Sequence, residues 1–159
     1  MITIGVDPGL SGAIGVLSNG RYVTVEDMPV VAKGGTGSVK NEVDPAGLIQ
    51  LLRQHASAEE YVIVALERVN AMPGQGVSSV FSLGDSFGCA RSAIAACRFE
   101  MVSVRPTEWK RYFKLGTDKE QSRALAVRMF PDAPLHLKKH SDRAEALLMA
   151  RWLHDMRNK

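Results

Sequence analysis

The stretch ITIGVDPGL, positions 2–10, restricts the fold more than any other in the chain. Ile2, Ile4 and Val6 alternate with Thr3 and Gly5, the two-residue period of a strand, and Pro8-Gly9 is a turn signal that stops it. An acid, Asp7, therefore stands at the end of a rigid apolar element. Residues 12–18 and 21–28 repeat the strand pattern with Asn19-Gly20 between them, so 1–7, 12–18 and 21–28 predict an antiparallel meander. The following VVAKGGTGSVKNEV has no periodicity, three glycines and two lysines, and reads as a loop. It lacks the GxxxxGK[ST] order of a phosphate-cradling loop.

Asp44-Pro45 places an acid at N-cap and proline in the first turn of a helix whose apolar face, Leu48, Leu51 and Leu52, runs to about Ala56. YVIVALERV is the continuous apolar run of a strand covered on both faces, and it ends in a second acid, Glu67. After the loop NAMPGQGVSS, Ser78 or Ser79 is expected to cap a long helix reaching about Cys97, and FEMVSV reads as a fifth strand. Helices are expected over roughly 107–115, 118–129 and 142–157, divided by Gly116, Pro131 and Pro134. The sum is an α/β fold: a five-stranded mixed sheet, meander plus parallel strands, flanked by helices. At 159 residues with 45% apolar and 23% charged content, a single globular domain spanning 1–159 is expected.

Net charge is +3, but residues 105–143 hold ten Lys or Arg against five Asp or Glu, a local excess that favours a polyanionic partner. Cys89 and Cys97 lie in one expected helix with no second pair to build a zinc cluster, and are read as reduced structural thiols. With no export-type leader and no run of about 18 apolar residues, a cytoplasmic, nucleoid-associated protein without membrane contact is expected.

The acids carry the chemistry. Asp142 and Glu145 in SDRAEALLMARWL are three residues apart, on one face of the last helix. Taken singly each acid has an ordinary explanation, as a cap, a turn or a surface strand end. Together, two at strand ends and two on a late helix suit one cleft. Two carboxylates about 4 Å apart repel by roughly 4 kcal/mol at an effective dielectric near 20. Hard divalent cations remove that repulsion, and a pair of them clamps the attacking and leaving oxygens of an in-line displacement at phosphorus.

The runs ITIGVDPGLSGAIGV, ALERV with AMPGQGVSS, RPTEWKRYF, DKEQSRALAVRMFP and DRAEALLMA, in that order over nearly the whole chain, resemble the RuvC-type Holliday-junction resolvases of the ribonuclease H-like and retroviral-integrase superfamily. The loop wording and short length look most like phage or prophage members. The resemblance implies a homodimeric endonuclease dependent on Mg²⁺ or Mn²⁺, two ions per site, making paired symmetric nicks in a four-way junction by attack of a metal-activated water. Asp7, Glu67, Asp142 and Glu145 match the family's catalytic and metal-binding acids. Glu145 stands where an aspartate is common, one methylene longer. His140 matches a region where some relatives place a histidine near the metal; an accessory role is open, and an exposed loop histidine is the preferred reading.

Lys110, Arg111, Lys114, Lys119, Arg123, Lys138, Lys139 and Arg143 are the candidates for phosphate contacts, Lys110 and Lys119 foremost. Asn70, Met72 and Gln75 sit in the glycine-bearing loop after Glu67 and are candidates for contact with DNA near the cut, Met72 as an apolar wedge by analogy with relatives. Trp109 and Trp152 are assigned to the core. The helix SSVFSLGDSFGCARSAIAA, rich in small residues, suits tight packing inside the fold or across a two-fold dimer. Rival readings are a ribonuclease H-like nuclease for forks, flaps or RNA-DNA hybrids, and a branched-DNA binding module. An actin-like ATPase or sugar kinase would need a duplicated unit, which is not seen, so no nucleotide cofactor is expected.

Overall fold

The computed structural model describes residues 1–34, 40–56 and 60–159. Strands β1 (Ile2–Asp7), β2 (Ala13–Ser18) and β3 (Arg21–Asp27) form the antiparallel meander. A two-stranded ribbon, β4 (Val30–Lys33) with β5 (Lys40–Val43), leads to helix α1 (Pro45–Gln54). Strand β6 (Val62–Glu67) pairs parallel with β1, and β7 (Glu100–Val104) pairs parallel with β6. The five-stranded order is β3-β2-β1-β6-β7. Helix α2 (Val77–Ala96) connects β6 to β7, and α3 (Pro106–Tyr112), α4 (Lys119–Met129) and α5 (Ser141–Arg157) complete the chain. No described helix is long and apolar enough to cross a membrane.

The segment expected to be a loop, 30–43, instead supplies β4 and β5 at its two ends. Each is only four residues long and β4 is wholly exposed, so neither shows the alternation that marks a half-buried strand. The rest of that expectation, 35–39, lies outside the described residues. Asp44 caps α1 as expected, its carboxylate accepting from the Ala46 N–H at 3.0 Å. Helix α2 begins earlier than a serine cap would allow: Gly76, in extended conformation, is its N-cap, and no side chain caps it.

Alternation along the strands divides the core in two. Ile2, Ile4, Val6, Ile14 and Val16 pack with Leu48 and Leu52 of α1 and Ala90, Ala93 and Ile94 of α2. Ile63, Ala65, Ala13 and Leu17 belong to the opposite cluster, which contains most of the buried face of α5. Helix α5 sits very close to the sheet. Gly5 faces Gly15 across one ladder and Ala65 across the other, a row of minimal side chains. A Cβ on Gly5 would fall 2.0 Å from the Ala146 carbonyl oxygen, and one on Gly15 would fall 2.7 Å from the Leu147 nitrogen. Only glycine allows this backbone approach.

Candidate active site

Strand parity aims the acids. Asp7 lies two residues beyond Gly5 and Glu67 two beyond Ala65, so both project from the face that carries α5, at the carboxyl ends of adjacent parallel strands. The close approach at Gly5 and Gly15 seats the first turns of α5 over those ends. Oxygens of Asp7, Asp142 and Glu145 all lie within 4.8 Å of one another. Glu67 is not part of that trio but is coupled to it electrostatically, adding to the field at Asp7 and feeling that of Glu145.

Each carboxylate has its own support. The Trp109 indole, fully buried beneath α3, donates to Glu67 Oε1 at 2.9 Å. Glu145, only 4% exposed, accepts from Ser122 Oγ at 3.1 Å and pairs with Lys110 Nζ at 2.8 Å, both on Oε1. The Lys119 ammonium lies on Asp142 Oδ1. Asp7 has the weakest partner, the Gly9 N–H at 3.5 Å. Burial, then the charges of Glu67 and Asp142, push its carboxyl up to about 7. Burial raises Glu67 as well, against the lowering effect of the Trp109 hydrogen bond. Burial opposes charge on Lys119, but the bond to Asp142 and the charges of Asp142, Glu145 and Asp7 outweigh it and hold the ammonium above the usual lysine range.

The sequence pattern did not disclose Trp109 and Ser122 as partners of the acids. An indole in an apolar helix face reads as core, which it also is, and a mid-helix serine carries no spacing signal. His140 differs from its expected exposure: it is 6% exposed, in a 3₁₀ turn (Lys138–His140), with Nδ1 accepting from the Leu137 N–H at 3.3 Å and His136 edge-on to its ring. Burial, then Arg143, His136 and Lys139, depress its basicity. No histidine joins the metal-sized cluster among the described residues.

The basic candidates fall into distinct settings. Lys110 and Lys119 point into the acid cluster. Arg123 is turned inward, holding Glu120 and the Leu135 carbonyl, and Arg143 clamps Asp27 through two bonds of 2.6 and 2.7 Å, tying α5 to β3. Arg111 and Lys114 are exposed beside Lys110, and Lys138 and Lys139 are exposed in the 3₁₀ turn. In the loop after Glu67, Gln75 Oε1 accepts from the Met72 N–H at 2.9 Å, Asn70 is exposed, and Met72 is 62% exposed.

No protein-family model and no curated protein matches the sequence. Among solved structures, the chain resembles Thermus thermophilus RuvC, with TM-score 0.58 and 16% identity over 98% of this chain and 96% of that one. It also resembles T. thermophilus RuvC in complex with a Holliday junction substrate, with TM-score 0.64, 16% identity and the same coverage. The chain has the RuvC-type, ribonuclease H-like fold, and Asp7, Asp142 and Glu145 converge at the carboxyl end of β1, with Glu67 closing the neighbouring β6.

Proposed function

We propose that the protein is a divalent-metal-dependent DNA endonuclease that resolves four-way junctions by paired nicks. The observation that carries this reading is the convergence of Asp7, Asp142 and Glu145 within 4.8 Å, with Glu67 alongside, on a fold that matches a junction-bound RuvC over nearly its full length. The donor set is all oxygen, which suits Mg²⁺ or Mn²⁺ and not zinc or copper. The two ammonium groups on these oxygens show that the cluster demands positive charge even alone. The residues present fit hard cations, two per site on the proposed reading.

Asp7, Glu67, Asp142 and Glu145 would hold those ions. Bound there, such ions would supply a lowered pKa for water and neutralisation of charge at the departing 3′ oxygen. The chain's own part is positional. Trp109 fixes one oxygen of Glu67 and leaves the other for a ligand, and Ser122 with Lys110 does the same for Glu145. Burial and the neighbouring acids raise the Asp7 carboxyl to about 7, so cation entry would displace a proton from it and metal affinity should rise with pH through about 7.

Two cuts on opposing strands require two equivalent clefts, and a two-fold dimer supplies them. The exposed Val77 and Phe81 of α2 are 86% and 70% accessible and give that helix an apolar surface for a second copy. The test is cleavage of an immobile synthetic junction, compared with linear duplex, flap and RNA-DNA hybrid, in Mg²⁺ and in Mn²⁺. Symmetric nicks confined to the junction support the reading. Preferential cutting of flaps or hybrids would transfer it to another branched-substrate nuclease, and no metal-dependent cutting of any substrate would end it.

A further inference from the structure

Beside the acid cluster, the turn between α3 and α4 forms a groove of about 590 Å³. Its shape follows from how α3 ends. Lys114 takes a left-handed conformation (φ 55°), the Leu115 N–H bonds back to the Lys110 carbonyl at 2.8 Å and the Lys114 N–H to that of Arg111 at 3.1 Å, the closing pattern of a Schellman motif. The Gly116 N–H is held by Gln121 Oε1 at 3.1 Å, and Asp118 caps α4 through the Glu120 N–H at 2.9 Å. Both ends of the turn are therefore fixed, and the groove is preformed.

The lining is apolar below and cationic at the rim. Pro106 and Leu115 contribute carbon surface, Thr107 an exposed hydroxyl, and Lys110, Arg111 and Lys114 positive charge, with no acid among the lining residues. Among the described residues Arg111 and Lys114 make no ion pair, whereas Arg123, Arg143, Arg151, Arg157 and Lys119 each hold a carboxylate. Lys110 belongs to both places: its side chain lines the groove while its ammonium touches Glu145.

We propose that this groove receives one nucleotide of the bound DNA strand next to the cut, its base or sugar against Pro106 and Leu115 and its phosphates against Arg111 and Lys114. The inference rests on the nuclease reading and specifies where the strand lies within it. Charge complementarity selects the occupant, because a phosphodiester strand brings an anion every residue together with a flat apolar face. Continuity through Lys110 sets its position relative to the chemistry.

The experiment places 2-aminopurine singly at each nucleotide flanking the nick of a four-way junction and titrates wild-type protein in Ca²⁺. One position should change fluorescence by about twofold or more, as an unstacked or restacked base does. Thr107→Trp, which fills the groove from an exposed site, should abolish that response, and Thr107→Ser should keep it. The double change Arg111→Ala with Lys114→Ala should reduce the slope of log affinity against log salt by about two. A folded Thr107→Trp protein with the wild-type fluorescence response would overturn the proposal and leave the groove for an acidic peptide or a second copy of the chain. So would an unchanged salt slope in the double variant, which decides the matter alone if Thr107→Trp does not fold. Absence of junction binding by the wild type would instead remove the nuclease reading on which the groove depends.

Discussion

Glu67 and Glu100 occupy opposite ends of the same parallel pair, one closing β6 and the other opening β7, and they show two fates for one side chain. Glu100 is exposed and shared between Tyr61 and Arg157 at the amino end of the strands. Its environment acts on its neighbour: the hydrogen bond to Glu100, with a little burial, raises the Tyr61 phenol. At the carboxyl end, Glu67 makes no ion pair among the described residues, is pushed upward by burial, and is coupled to the charges of Asp7 and Glu145. A surface acid with a flexible partner stabilises a fold by a fraction of a kcal/mol. A crowded set of acids under a helix is held at a cost that the Lys110 and Lys119 ammonium groups offset in part and that a bound cation would offset further. The first end suits stability; the second, on the proposed reading, suits a ligand.

The largest test of that contrast is Asp7→Asn. It should lower junction nicking by about 10³-fold or more while leaving gel-shift affinity in Ca²⁺ within about threefold, because it removes a ligand and leaves the basic rim intact. Normal nicking by Asp7→Asn would erase the distinction between the two ends. Trp109→Phe should lower the cleavage rate by about tenfold at saturating DNA, since Glu67 loses its donor, and should also cost about 1–3 kcal/mol in denaturant unfolding from the lost indole volume.

The metal-free protein should lose stability as pH rises. Asp7 has a folded value of about 7 against an ordinary 3.8, so the native state holds the extra proton between those limits. Stability from this group is complete below about pH 4, declines across the window and is gone above about 7, by as much as roughly 4 kcal/mol. Thermal unfolding in EDTA across pH 4–8 should show this descent, and Mn²⁺ should flatten it. A flat profile in EDTA would mean that Asp7 is not crowded. Asp27, whose carboxyl Arg143 holds below its usual range, works in the opposite direction and loses its contribution on acidification, but it is largely exposed and its share is small.

Smaller effects sharpen the comparison. Lys119→Met removes the ammonium that competes for Asp142, so Mn²⁺ affinity without DNA should rise by about three- to tenfold in calorimetry. A fall in affinity would show that the lysine assists the ion. Glu100→Gln should change unfolding by less than about 1 kcal/mol and cleavage not at all. A loss of activity there would join the two ends that the geometry separates.

Much of this was legible in the chain because periodicity and punctuation are local. The meander, the strand closing in Glu67, the Asp44 cap and the last helix all lie where alternation, Asn-Gly and Asp-Pro place them. The short ribbon β4–β5 was not legible, because four-residue strands on the surface need no apolar pattern. His140 reads as a surface residue in the sequence, because nothing nearby announces that α5 and its preceding turn enclose it.

For the site the division is sharper. Sequence alone determined which acids end rigid elements and that Asp142 and Glu145 share a helix face, since backbone period dictates both. Only the tertiary structure decided that they meet, because the meeting depends on α5 lying within backbone contact of Gly5 and Gly15. It also decided that Trp109, Ser122, Lys110 and Lys119 serve as their partners. Hydrogen bonds and charges act over a few ångströms, and residues 7, 67, 109, 122 and 145 come within that range only after the helices have packed.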